Sequence, residues 1–115
     1  MTEKMKIIDF LRENQLDAIF VQKDENCRYL SKFTGSDSYL LLTKEKLYLL
    51  TDSRYTEQAR KEAADYTVVD YKGHLAEIVA KLAGEYHIKT MGVETVFSYQ
   101  MYLSFHEYMP NIEFR

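Results

Sequence analysis

The run Tyr39-Leu40-Leu41-Leu42-Thr43-Lys44-Glu45-Lys46-Leu47-Tyr48-Leu49-Leu50-Thr51 decides the fold. It holds two apolar five-residue stretches separated by three charged residues. The lengths are those of strands, and the spacing is that of a hairpin. One strand pair of the sheet is therefore antiparallel.

Upstream, Ala18-Ile19-Phe20-Val21 is short and continuously apolar, the mark of a central strand buried on both faces. Before it, a helix is expected from a Thr2 cap to about Asn14, with Ile7, Ile8 and Leu11 on one face. After it, Asp24 is expected to cap a short helical turn through Leu30, and Thr34-Gly35-Ser36-Asp37 reads as a loop. Downstream of the hairpin, Ser53 is expected to start a helix in which Tyr55, Ala59 and Ala63 repeat every fourth residue. Thr67–Tyr71 is rich in β-branched residues and reads as a strand. Leu75, Ile78, Val79, Leu82, Ala83 and Tyr86 form the apolar stripe of a helix packed on a sheet. Thr90–Val93 is another strand. Ser98 is expected to cap a last helix, with Phe97 and Tyr102 at hydrophobic-staple spacing and Pro110 at its end. Ile112–Phe114 reads as a strand beginning that Arg115 cuts short, from which a longer parent protein is expected.

The later β-α-β units require right-handed parallel crossovers. The simplest solution is a three-layer α/β/α domain: a mixed, mostly parallel sheet with one antiparallel hairpin between two helix layers. A chain of 115 residues is enough for one such domain.

Composition excludes several classes of function. The 15 basic and 18 acidic side chains are interleaved along the chain, so there is no clustered basic face for nucleic acid. Cys27 is the single cysteine, which rules out an internal disulfide and favours a reducing compartment. The N-terminal residues lead into an amphipathic pattern with no apolar core of a signal peptide, and no apolar run approaches the roughly 20 residues that span a bilayer. A cytoplasmic location without membrane contact is expected.

The chain lacks the phosphate-binding loop patterns and the nucleophile elbow. His74, His87 and His106 stand apart, at a helix start, a helix end and mid-helix, without metal-ligand spacing. No catalytic residue and no metal ligand is assigned. Two clusters remain. Asn26–Ser36 crowds polar and aromatic groups just after a buried strand, and Thr51-Asp52-Ser53-Arg54-Tyr55 does so at the hairpin's end. Binding groups in α/β domains sit in such loops. Capping by Asp52 or Ser53, pairing of Arg54 with Asp52 or Glu57, and a core role for Tyr55 would equally account for the second.

Asn26-Cys27-Arg28-Tyr29-Leu30-Ser31-Lys32-Phe33-Thr34-Gly35-Ser36 resembles the N-x-R-Y-L-[ST]-G-F-T-G-S segment of the creatinase/prolidase N-terminal domain. Tyr48–Tyr55 with Gln58-Ala59 resembles its T-D-x-R-Y-x-x-Q-A signature, and Gly92-Val93-Glu94 is similar to its later G-[VIF]-E strand. Lys32 and Ser38 depart from the pattern, standing where glycine is common.

The resemblance implies a ribonuclease-H-like domain over residues 1–115. It also implies a C-terminal pita-bread metallopeptidase domain that this chain does not contain. There, two divalent metal ions, manganese or cobalt, bound by two Asp, one His and two Glu, would cleave the peptide bond before proline. The expected function is that of a non-catalytic domain of an Xaa-Pro aminopeptidase or dipeptidase. Its implied partners are its own catalytic domain, a second copy in a homodimer, and short proline-containing peptides. Tyr29, Phe33, Thr34, Gly35, Ser36, Asp52, Arg54 and Tyr55 are the candidates for substrate access or subunit contact. A protein-binding pseudo-peptidase and a creatinase-like amidinohydrolase are the alternatives with the same fold.

Overall fold

The helix α1 (Glu3–Glu13) turns Ile7 and Leu11 inward, and its last residues close on themselves. The N–H of Leu16 bonds to the carbonyl of Leu11 and that of Gln15 to Arg12, with Gln15 left-handed at φ 57°. This is a Schellman ending, which lets the chain reverse into the sheet. The structure, a computed structural model, describes residues 3–35 and 37–115. The expected cap Thr2 and the candidate Ser36 lie outside the described residues.

The chain continues through β1 (Ala18–Val21), α2 (Asp24–Ser31), β2 (Tyr39–Thr43), β3 (Leu47–Thr51), α3 (Thr56–Glu62) and β4 (Thr67–Asp70). It ends with α4 (Leu75–Glu85), β5 (Thr90–Val93), α5 (Tyr99–Tyr108) and β6 (Glu113–Phe114). The expected hairpin is present with the expected ends. The Thr43 hydroxyl holds its turn, accepting from the N–H groups of Glu45 and Lys46 and donating to the Lys46 carbonyl. Ser98 caps α5 as expected, its hydroxyl accepting from the Met101 N–H at 3.0 Å.

The six strands form one sheet in the order β4-β3-β2-β1-β5-β6. β2 is antiparallel to both β1 and β3, while β1–β5, β3–β4 and β5–β6 are parallel. Five strands thus share one direction and β2 alone opposes them.

Strand alternation sorts the core into two layers. Val21, Leu40, Leu42, Leu47 and Leu49 point to one face, where Ile7 and Leu11 of α1, Cys27 of α2 and Ala59 of α3 cover them. Ala18, Phe20, Leu41, Tyr48, Leu50 and Met91 point to the other, beneath Val79, Leu82 and Ala83 of α4 and Phe105 of α5. Phe20 centres this second layer, with Tyr39 stacked at 5.5 Å and Phe105 edge-on at 4.9 Å. Phe97 packs on Phe20, Phe105 and Phe114, and Tyr102 also meets Phe114, so the two expected staple rings share that neighbour.

Two helix starts differ from expectation. α3 begins at Thr56 because Asp52–Tyr55 is spent on a turn, in which the Tyr55 N–H bonds to the Asp52 carbonyl. Asp24 does not cap α2; Lys23 holds the cap position and offers no side-chain bond, with Asp24 inside the first turn. The bonds come from across the sheet. One carboxylate oxygen of Glu94 accepts from the N–H groups of Gln22 (2.6 Å) and Lys23 (2.8 Å), and the other accepts from the Asn26 amide. At the opposite end of the same strand pair, Asp17 accepts from the N–H groups of Lys89 and Thr90. Two carboxylates therefore tie β1 to β5, one at each end.

Replacing Glu94 by Ala leaves the Gln22 and Lys23 donors without an acceptor. Glu94→Ala is expected to lower unfolding free energy by about 1–3 kcal/mol and Glu94→Gln by less, because the amide oxygen still accepts. Urea denaturation measures both. Wild-type stability for Glu94→Ala would show that water replaces the carboxylate at no cost.

Candidate functional site: a polar rim at one end of the sheet

Because β2 runs against its neighbours, its first residue lies beside their last ones. Tyr39 pairs with Leu50, Leu40 with Val21, and Thr51 with Asp70. The loop entering β2 and the turn leaving β3 therefore share one edge of the sheet. This brings together the two clusters singled out from the sequence. Phe33 and Tyr55 meet edge-on at 6.4 Å, and Arg54 lies 3.8 Å from Asp37.

Asp52 and Arg54 form the tightest pair of the rim. The Arg54 guanidinium donates to both Asp52 oxygens, Nη2 to Oδ2 at 2.7 Å and Nε to Oδ1 at 3.1 Å. The Arg54 backbone N–H adds a third bond to Oδ1. The side-chain bond to Arg54 is the main reason that the Asp52 carboxyl sits below the usual range, and the same bond raises Arg54. The guanidinium also lies over the Tyr55 ring, 5.1 Å from its centre. Arg54 is thus exposed but fixed, presented on the rim by a two-residue turn. Glu57, the other partner considered for it, is not needed.

The second part of the rim is the loop after α2. Thr34 is held from α3: Glu62 accepts from the Thr34 N–H at 2.8 Å and from its hydroxyl at 2.9 Å. Gln58 donates to both the Thr34 hydroxyl and Glu62. The bond from the Thr34 backbone leads the causes that lower the Glu62 carboxyl. Phe33 is buried, so it supports the loop from beneath. Gly35 lies against its ring; a Cβ there would come 2.3 Å from Phe33 Cζ. Behind the rim, the Tyr71 and Tyr39 rings meet at 5.9 Å, and the Tyr71 hydroxyl donates to the Asp37 carbonyl. Burial is the main cause raising both phenols.

Tyr29 stands apart from this rim. Its side chain is exposed, at 72%, and lines a groove of about 610 Å³ between α1 and α2 with Phe10, Leu30, Ile19 and Gly92. The sequence therefore holds together Tyr29 and Phe33–Tyr55 contacts that the fold divides between two surfaces. Sequence reading did not single out Asp37, Glu62 or Tyr71. Gln58 carried a signal, since it belongs to the T-D-x-R-Y-x-x-Q-A pattern.

The departure at Lys32 has a backbone cost. Lys32 adopts φ 71° at the C-terminal cap of α2, with its N–H bonded to the Arg28 carbonyl. This left-handed position is the one glycine favours. Ser38 is not in such a conformation; its neighbour Asp37 is, at φ 56°. Ser38 is buried, and its carbonyl accepts from the Cys27 thiol. Burial, with Glu94 as the next cause, pushes that thiol up to about 12, so Cys27 is a packed structural residue and not a nucleophile.

Among the described residues, no three of His, Cys, Asp and Glu converge as a metal site. The rim's acids are engaged with Arg54 and Thr34, and the rim does not fit the metal pair implied for a catalytic domain. No helix among the described residues is long and apolar enough to cross a membrane.

The Creatinase/Prolidase N-terminal domain profile matches residues 5–115. The chain belongs to that family. It is 30% identical over 105 residues to an uncharacterised peptidase of Bacillus subtilis, covering 85% of this chain and 30% of that protein. The Xaa-Pro dipeptidase from Bacillus anthracis superposes with a TM-score of 0.85 at 33% identity, over 96% of this chain and 32% of that one. The N-terminal domain of the cytoplasmic peptidase PepQ from Mycobacterium tuberculosis superposes with a TM-score of 0.87 at 28% identity, over 98% of this chain and 90% of that one. The chain thus spans about a third of full-length relatives and nearly all of an isolated family domain.

Lys32→Gly is expected to raise stability by up to about 1 kcal/mol, the strain of a left-handed non-glycine residue less the flexibility glycine adds when unfolded. Thermal unfolding checks it; an unchanged or lower Tm contradicts the strain. A second prediction concerns pH. A carboxyl lowered in the fold contributes above its unfolded pKa, and that contribution is lost as pH falls through the lowered value. NMR titration of the Arg54 and Thr34 amides should therefore show midpoints below about 3.9 and 4.3, the unfolded values of Asp and Glu. Asp52→Asn and Glu62→Gln should abolish these transitions. Midpoints at or above those values would disprove the pairings in solution.

Proposed function

We propose that this chain is the non-catalytic N-terminal domain of an Xaa-Pro aminopeptidase or dipeptidase, whose parent hydrolyses the peptide bond before proline. The observation that carries the reading is the family match across residues 5–115 in a chain about one third the length of its relatives. In this reading the chemistry belongs to a C-terminal pita-bread domain holding two manganese or cobalt ions. This chain supplies walls. Arg54 on its Asp52 support, Tyr55, Thr34 held by Glu62, and Gly35 against Phe33 are groups suited to border a short peptide or a neighbouring subunit, and Ser36 is assigned the same service. Tyr29 is assigned to the same service from the groove side. The parent is proposed to be a cytoplasmic homodimer.

The full gene product, supplied with manganese or cobalt, should hydrolyse Xaa-Pro peptides, whereas residues 1–115 alone should not. In that protein Arg54→Ala should lower kcat/KM, or shift the dimer equilibrium, about fivefold or more. Cleavage by the 115-residue chain would refute the non-catalytic assignment. Unchanged kinetics and assembly in both Arg54→Ala and Tyr29→Ala would refute the role of the rim. A pseudo-peptidase would be recognised by the absence of the five metal ligands downstream.

A further inference from the structure

β4 stands at one edge of the sheet and, among the described residues, pairs with β3 alone. Its burial stops short of its neighbour's. Leu49 and Leu50 of β3 are 0% exposed, whereas Thr67 is exposed and Val68, Val69 and Asp70 are half-buried. The Tyr71 N–H bonds to the Thr51 carbonyl, so Tyr71, Val69 and Thr67 turn their backbone groups toward β3. Alternation along the strand turns the N–H and C=O groups of Val68 and Asp70 to the open side. Among the described residues, no backbone group meets them there. Edges of this kind are normally blunted by proline, a bulge or charge. The other edge strand, β6, carries the Glu113–Arg115 ion pair. β4 pairs with β3 without a bulge and contains no proline and no basic residue. Its one carboxylate, Asp70, is turned back onto the Lys72 N–H.

We infer that β4 is an interface between two copies of this chain, paired antiparallel about a two-fold axis at Val69. The inference rests on the proposed homodimer and names a surface for it. A two-fold axis normal to the sheet makes the paired strands antiparallel and sets each helix layer beside its own copy. What selects a second copy is the self-complementarity of the edge. In an antiparallel pair, residues whose groups face the partner must lie opposite residues whose groups face back. With Val69 opposite Val69 of the second copy, Val68 lies opposite Asp70 and exchanges both of its bonds with it. The two-fold repeats the exchange, so every open group of Val68 and Asp70 is used. The adjacent registers of the same parity fail. One sets Asp70 opposite Asp70, with like charges directly opposed. The other sets Asp70 opposite Tyr66, whose N–H is already spent on the Ala63 carbonyl. Registers of the other parity place the open groups opposite groups that face β3. Pairing also covers Val68 and Val69, which the helix layers leave partly open.

The test measures association of the 115-residue chain by analytical ultracentrifugation from about 10 μM to about 1 mM, a range suited to a small interface. A dimer is expected, with the Val68 and Asp70 amides gaining protection from hydrogen exchange as concentration rises. Val68→Pro removes an outward donor and no bond to β3, and should raise the dimer Kd about tenfold or more. Val69→Cys gives a readout that does not depend on proline being tolerated. The axis places its thiols within disulfide reach, so oxidised glutathione should produce covalent dimers. Thr67→Cys should produce none, because its thiols would lie about 13 Å apart at ~3.3 Å per residue along the strand. The native chain serves as the blank, since its Cys27 is buried. A monomer over the whole range, a dimer unaffected by Val68→Pro in a folded chain, or crosslinking of Val69→Cys no better than that of Thr67→Cys overturns the inference. A full gene product that stays dimeric with Val68→Pro also overturns it, and leaves the homodimer reading intact with its interface elsewhere. A monomeric full gene product overturns both.

Discussion

The organisation of this domain depends on one reversed strand. β2 is buried on both faces over most of its length and hydrogen-bonded on both sides. Its direction has a geometric consequence. In a purely parallel sheet, the loop entering a strand lies at the end opposite the loops leaving its neighbours. Reversing β2 brings Phe33–Gly35 and Asp37, which precede it, to the same end of the sheet as the turn after β3 and the end of β1. Open α/β sheets bind ligands outside the carboxyl ends of their strands, where the topology switches. Here the switch is β2, and the rim built on it joins segments that are distant in sequence.

The rim is held by one local contact and one distant one. Arg54 is anchored within its own turn by Asp52, so its position needs no distant contact. Thr34 has no such neighbour and is held from α3 by Glu62 and Gln58. Exposed ion pairs contribute little to global stability. Their effect here is positional: a long flexible arginine is held to one orientation, and Thr34 is held at both backbone and side chain. This is the arrangement expected of a wall that must keep its shape while a substrate or subunit comes and goes.

This division explains what the sequence revealed. The strands were legible because β1, β2 and β3 are apolar runs of strand length, and burial on both faces demands that pattern. The Asp52–Arg54 pair was legible because its members are two residues apart. The start of α2 was misread because local logic assigned the cap to Asp24, while the acceptor is Glu94, about 70 residues away. The Glu62–Thr34 clamp spans 28 residues and escaped for the same reason. Lys32 lies between these cases. Its departure from a glycine pattern was visible, but only the φ of 71° gives the reason that glycine belongs there. The resemblance to the family supplied Glu94 as part of a motif without its role, and the structure supplied the role.

The groove is a different case, because the motif residues that line it, Asn26, Tyr29, Leu30 and Gly92-Val93-Glu94, come from segments far apart in sequence that only the fold brings together. It lies between α1 and α2, on the face of the sheet that α1, α2 and α3 cover. Tyr29 shows why this matters to the reading of the sequence. It sits within the same eleven-residue segment as Thr34, yet α2 carries it to the groove while the left-handed turn at Lys32 sends the following residues to the rim. One short segment therefore serves two surfaces. The separation depends on α2 being held at both ends, by Glu94 at its start and by the strained Lys32 at its finish. A change at either end would be felt at both surfaces, although neither residue need touch a substrate.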